Sequence, residues 1–199
     1  MIHIWKHFKT ITSHRLKVMK YCFKVGLYFQ GLTHDLSKYS WTEFSEGCRY
    51  YQGDRSPNNK AREETGISKA WLHHKGRNKH HYEYWVDYDF NSPHFLSGLD
   101  MPRKYIAEMV IDRICACEVY QKEKYTQRSA YEYYLKGTHK LWFISDNTKR
   151  DLEMLLLMVA EEGRDETFKY IKNVYLKNAE TCNRVLEHKE LHHCEDKLL

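Results

Sequence analysis

Residues 2–29 read IHIWKHFKTITSHRLKVMKYCFKVGLYF, and the spacing within them decides the architecture. Ile4, Phe8, Ile11, His14, Val18, Cys22, Val25 and Phe29 step by three or four, which is the repeat of one face of an α-helix. The stretch predicts a long amphipathic helix with His14 on its buried stripe, closed by Gly31 as a C-terminal glycine. Helical spacing recurs along the chain, no segment reads as a convincing strand, and only three prolines interrupt it: Pro57, Pro93 and Pro102. The expected fold is all-α, a helical bundle with a C-terminal helical pair.

Working outward, the next helix should contain His34 and Asp35 and pass into Ser40-Trp41-Thr42-Glu43, where a Ser or Thr followed by Glu can cap a further helix through Tyr51. The turn-rich loop from Gly53 to Asn59 leads into a helix through His74 that bends near Gly66, and Gly76-Arg77-Asn78 breaks it. From Asn78 a helix would restart with His81, Trp85 and Tyr88 on one face. Pro102 suits the first turn of a helix to Tyr125, whose stripe of Tyr105, Met109, Asp112, Ala116 and Tyr120 turns Asp112 inward. Asp146-Asn147-Thr148 should cap a leucine-rich helix to Glu162. After Gly163, a last helix would carry Phe168, Ile171, Tyr175, Cys182 and Leu186.

With 199 residues the chain is expected to form one domain, a core over 1–125 and a helical extension over 126–199. Basic residues every few positions in the first thirty leave no apolar run for a signal peptide or membrane span, so a cytoplasmic location is expected. In that setting the six cysteines, Cys22, Cys48, Cys115, Cys117, Cys182 and Cys194, read as reduced core fillers. A net charge of +5 with interspersed signs does not indicate an extended nucleic-acid surface. A homo-oligomer stays open. One local patch differs: between Thr65 and Tyr82 no acidic residue occurs, and Lys69, Lys75, Arg77 and Lys79 accompany four histidines.

The 13 histidines are the first reason to look for a metal. Composition alone accounts for one His-Asp or one His-His pair, so His34-Asp35 carries nothing by itself. Order says more: an inward His14, then His34-Asp35, then His73-His74 and His80-His81, then an inward Asp112. Imidazoles and carboxylates in that number suit one or two divalent transition metals, manganese, iron, zinc or cobalt, with a shared aspartate. Helical phase favours His74 and His81 as ligands over His73 and His80, which would face the cleft mouth or solvent.

His14, the run His34-Asp35-Leu36-Ser37-Lys38, and Asp112 within Val110-Ile111-Asp112-Arg113 together resemble the HD superfamily of metal-dependent phosphohydrolases over residues 1–125. The segment HHKGRNKHH, residues 73–81, also looks like an uncharacterised bacterial family. The resemblance implies an HD-type bundle in which Asp35 and Lys38 are catalytic. Lys38, as in many members, would lie near the substrate phosphate. Water activated by the metal would attack phosphorus in a phosphorylated small molecule, a nucleotide by resemblance. Lys38, Lys75, Arg77, Asn78 and Lys79 would contact the anion.

Other readings stand beside these. His14 could be a satisfied core histidine, Asp112 could pair with Arg113, Lys38 could be solvated, and the loop from Lys75 to Lys79 could be an ordinary turn. His188, His192 and His193 read as a frayed tail rather than a second site. Tyr131, Tyr133, Tyr134, Trp142 and Phe143 read as core. The same ligands would serve a two-iron oxygenase, and a binding or inhibitor protein could keep such a site for stability alone.

Overall fold

The computed structural model describes residues 3–177. Helix α1, Ile4–Lys24, buries His7, Ile11, His14, Val18, Tyr21 and Cys22. The buried stripe thus begins at His7, and Ile4, Phe8 and Phe29, expected on it, are exposed. The predicted long helix is also two. Gly26, at φ +86°, turns the chain, and α2, Tyr28–Thr33, follows. Gly31 is therefore not the cap of α1 but a packing residue of α2: a Cβ there would lie 3.0 Å from Cys22 Cβ, so glycine lets the two helices approach without displacing that neighbour.

His34 ends α2, Asp35 takes a left-handed conformation, and Leu36–Tyr39 form one 3₁₀ turn, so the expected helix through this pair is replaced by a sharp corner. Helix α3, Trp41–Arg49, is capped by Ser40, whose hydroxyl accepts from the Glu43 N–H. Two helices occupy the span predicted as one bent helix: α4, Pro57–Thr65, with Pro57 in its first turn, and α5, Lys69–Lys75, capped by Ser68. Gly66, left-handed, separates them.

The helix expected from Asn78 does not form. Tyr82–Trp85 make a 3₁₀ turn, then strand β1, Val86–Tyr88, pairs antiparallel with β2, Leu96–Gly98, in the register Val86 to Gly98. Each strand has three residues, too few for alternation to register in the sequence.

Helix α6, Arg103–Gln121, is buried on nearly all sides, from Ile106 through Cys117, which places it at the centre of the bundle. Helix α7, Ser129–Leu135, and α8, Asp146–Glu162, pack around it, with Ser145 rather than Asp146 capping α8. The last helix, α9, Arg164–Tyr170, runs into a π-helical turn, Ile171–Tyr175. One hydrophobic cluster joins α1, α6, α7, α8 and α9, so residues after 125 share the core rather than form an appendage. Tyr131 and Tyr134 belong to it, whereas Tyr133 and Trp142 are exposed. Cys22, Cys48, Cys115 and Cys117 are free and buried, as expected of core fillers. Cys182, Leu186, Cys194 and the histidines 188, 192 and 193 lie outside the described residues. No helix among the described residues is long and apolar enough to cross a membrane.

Candidate metal centre

Five segments deliver the polar residues of the bundle interior. His14 comes from the middle of α1, His34 and Asp35 from the corner after α2, and His74 from the last turn of α5. His80 and His81 follow in the next loop, and Glu108 and Asp112 lie one turn apart on α6. Asp35 adopts φ +54°, a conformation that costs most side chains energy and that aspartate tolerates better than most. The corner it makes turns its carboxylate into the bundle, where it is 1 % exposed.

That carboxylate stands between two groups of candidate ligands. Its Oδ2 lies 3.2 Å from His34 Nε2 and 3.7 Å from His14 Nε2. Its Oδ1 lies 3.3 Å from His74 Nε2 and 3.5 Å from His80 Nε2. Asp112 Oδ1 completes the first group, 2.8 Å from His14 Nε2 and 3.5 Å from His34 Nε2. The result is two sets sharing Asp35: His14, His34, Asp35 and Asp112, and Asp35, His74, His80 and His81. In each, the ligand atoms lie within 4.8 Å of one another.

Close approach here is not hydrogen bonding. The Nε2 atoms of His14, His34, His80 and His81 and both oxygens of Asp35 are buried with no aligned hydrogen-bond partner. A buried polar atom left unsatisfied costs about 1–3 kcal/mol, and six in one place are hard to sustain by packing alone. Lone pairs that converge in this way, with Lys38 on one Asp35 oxygen, are what a divalent cation would satisfy. Mixed imidazole and carboxylate donors suit manganese, iron, zinc or cobalt, so the residues fit the group.

Two further carboxylates, Glu108 and Glu43, hold the rings from behind, and sequence reasoning missed both. Glu108 Oε1 lies 2.9 Å from His34 Nδ1 and 3.2 Å from His80 Nδ1. Glu43 reaches His74 Nδ1 at 2.8 Å through Oε2 and His73 Nδ1 at 2.7 Å through Oε1. Such outer carboxylates fix the tautomer that presents Nε2 inward. Glu108 was detectable, because it sits four residues before Asp112 and so shares its helix face. Glu43 was hidden by its place in a capping box, which explained it as a cap.

Electrostatics follow from burial and from these neighbours. Burial opposes a charge on Asp35, yet His34, Lys38 and His74 hold its carboxyl well below the usual range. Burial likewise opposes charge on Asp112, which His14 and His34 keep ionised. His81 is driven well below its ordinary value by burial and then by His80 and His74. It is therefore neutral, the form that ligates metal.

Of the residues picked out from sequence, His14, His34, Asp35, His74, His80, His81 and Asp112 are brought together. His73 is not: it leans outward on Glu43 and belongs to neither set. His80 is correspondingly the reverse of the helical-phase expectation, being 2 % exposed, because the segment is an irregular loop in which adjacent side chains need not diverge.

Above the ligands opens a cleft of about 450 Å³ whose lining includes His14, Lys38, His74, His81 and Asp112. Lys38 is ion-paired with Asp35 Oδ2 at 2.5 Å. Lys75, Arg77, Asn78 and Lys79 do not line this cleft, contrary to the sequence expectation. Arg77 donates back to the His73 carbonyl, and Lys79 lies over the Tyr84 ring. Asn78 braces the site instead, donating to Ser37 Oγ and to the His74 carbonyl, both at 2.8 Å. The loop turns its histidines in, which turns its cations out. Besides Lys38, the cations that do line the cleft are Arg55, in the loop before α4, Arg62 on α4 and Arg113 on α6.

A family model described as a family of unknown function, DUF5662, matches residues 3–158. The chain belongs to this family. The matched span contains every residue of both ligand sets, together with Glu43, Glu108 and the cleft above them. No curated protein and no solved structure matches the chain.

Proposed function

We propose that this DUF5662 protein is a metal-dependent phosphohydrolase of the HD type, acting on a phosphorylated small molecule. The observation that carries the reading is the pair of candidate ligand sets sharing Asp35, with six buried polar atoms that lack an aligned hydrogen-bond partner. His14, His34, Asp35 and Asp112 would hold one divalent ion, and Asp35, His74, His80 and His81 the other. A metal pair supplies Lewis acidity and a water acidic enough to ionise near neutral pH.

The chain's own residues do the rest. Asp35 orients both groups at once, and its left-handed corner keeps it from swinging away. Glu108 and Glu43 hold His34, His80 and His74 so that their Nε2 atoms stay inward. Lys38, fixed on Asp35 and facing the cleft, neutralises charge that develops on phosphoryl oxygens. The cleft's volume suits a small-molecule substrate, and Arg62 and Arg113, without an ion pair among the described residues, favour an anionic one.

Manganese- or cobalt-loaded protein, assayed for phosphate release from a panel of nucleotides and sugar phosphates, tests the proposal. Turnover that is indifferent to oxygen and is abolished in Asp35→Ala supports it. Iron bound on purification with oxygen-dependent turnover would replace hydrolysis by oxidation. Metal that raises the melting temperature while no substrate turns over would leave a binding protein with a structural site.

A further inference from the structure

Four cationic side chains face the cleft, and two of them already have an ion-pair partner. Lys38 is paired with Asp35, and Arg55 is held by Glu63 through two bonds of 2.7 and 3.0 Å. Arg62 and Arg113 have no ion-pair partner among the described residues.

Their placement ties both to the metal centre. Arg113 follows the ligand Asp112 on α6, and its Nε is buried without a hydrogen-bond partner. Arg62 lies over the Trp71 ring at 5.5 Å and donates to Asn59 Oδ1 at 3.2 Å. Trp71 in turn packs edge-on against the ligand His81, with centroids 4.9 Å apart. The Arg62 guanidinium is therefore one aromatic ring away from the second ligand set, held there by Trp71 and Asn59 in advance of binding. Glu83 shares this wall, and both arginine charges act on it, yet it reaches neither within ion-pair distance.

We infer that Arg62 and Arg113 form an anion subsite beside the metal pair, which takes a second phosphoryl group of the substrate. The substrate class is then a diphosphate or bisphosphate rather than a simple monophosphate. This inference rests on the proposed function, in which one phosphoryl group lies at the metals beside Lys38. The second group, reaching past Trp71 or along α6, meets two guanidinium groups that bind phosphate through paired N–H donors.

Calorimetric titration of the manganese-loaded full chain with methylenediphosphonate and with inorganic phosphate tests it, with protein-bound metal measured before and after. The expected result is diphosphonate binding at least tenfold tighter than phosphate. Arg113→Gln and Arg62→Gln should each lose about tenfold of the diphosphonate affinity and change phosphate binding less than twofold. Arg113→Lys, which keeps the charge and stem, covers the case in which Arg113→Gln fails to fold. Equal affinities for the two probes, or diphosphonate binding untouched in both Arg62→Gln and Arg113→Lys, would overturn the subsite while leaving the hydrolase reading intact. Phosphate that does not bind the metal-loaded protein at all would overturn the hydrolase reading and the subsite with it.

Discussion

Replacing Glu108 should weaken both metal sites at once, although Glu108 belongs to neither four-residue set. Its Oε1 bonds His34 Nδ1 and lies 3.2 Å from His80 Nδ1, one candidate ligand from each set, so a single atom faces both halves of the centre. Loss of a carboxylate behind a ligand histidine typically costs about 10–100-fold in metal affinity. Glu108→Ala removes that support from both rings, and the affinity for each ion should fall by about that factor, or about 1.4–2.8 kcal/mol. Glu108→Gln is the sharper variant. Because both histidines face the same oxygen, an amide carbonyl in its place keeps that acceptor and loses only the charge, so each affinity should fall by less than about tenfold. Competition against a chromogenic chelator reads the two affinities, and urea unfolding of the metal-free variants separates metal loss from lost stability. Glu108→Ala that binds both ions as tightly as the parent would refute the reasoning, and weakening of one ion alone would refute the shared anchor.

Other consequences follow from the same geometry. A divalent ion at about 100 times its dissociation constant should stabilise the fold by about 2.7 kcal/mol per site, read as a higher melting temperature that a chelator reverses. Gly47→Ala would place a Cβ 2.2 Å from His7 Nε2 and should cost about 1–3 kcal/mol in urea unfolding without changing metal content, since His7 is not a ligand. Burial, then Lys38, lowers His7 to about 4 from 6.5, so the folded state takes up its proton later than the unfolded one. Its contribution is complete above pH 6.5 and is lost as pH falls toward 4. His7→Gln, compared with the parent in the metal-loaded state, should remove up to about 3 kcal/mol of that loss. In the core, Leu155→Ala should cost about 2–5 kcal/mol by calorimetry, since Leu155 is wholly buried within the shared cluster of α1, α6 and α8.

The all-helical class was legible because apolar spacing is a property of each helix by itself, and α1, α6 and α8 each carry many turns of it. Boundaries were less legible. Gly26 rather than Gly31 ends α1, because a glycine needed for close packing against Cys22 looks the same in sequence as one needed for a turn. The hairpin of Val86–Tyr88 with Leu96–Gly98 was too short to show a period. Seven of the eight proposed ligands converge because histidine and aspartate at inward positions have few other stable arrangements. The preference for His81 over His80 failed where a helical phase was applied to an irregular loop. The residues expected to contact an anion fall outside the cleft for a related reason. Charge density along the sequence pointed to Lys75–Lys79, whereas what faces the cleft is set by which side of α4 and α6 looks inward, and that depends on contacts distant in sequence.

The central claim is a pair of metal ions sharing Asp35, and elemental analysis of protein purified without a histidine tag tests it most directly. The parent, alone or after incubation with manganese, iron or zinc, should hold two ions per chain. His14→Ala should lose one ion and His81→Ala the other, while Asp35→Ala loses both. A parent that binds no metal under any of these conditions, or an Asp35→Ala variant that retains two ions, would contradict the account.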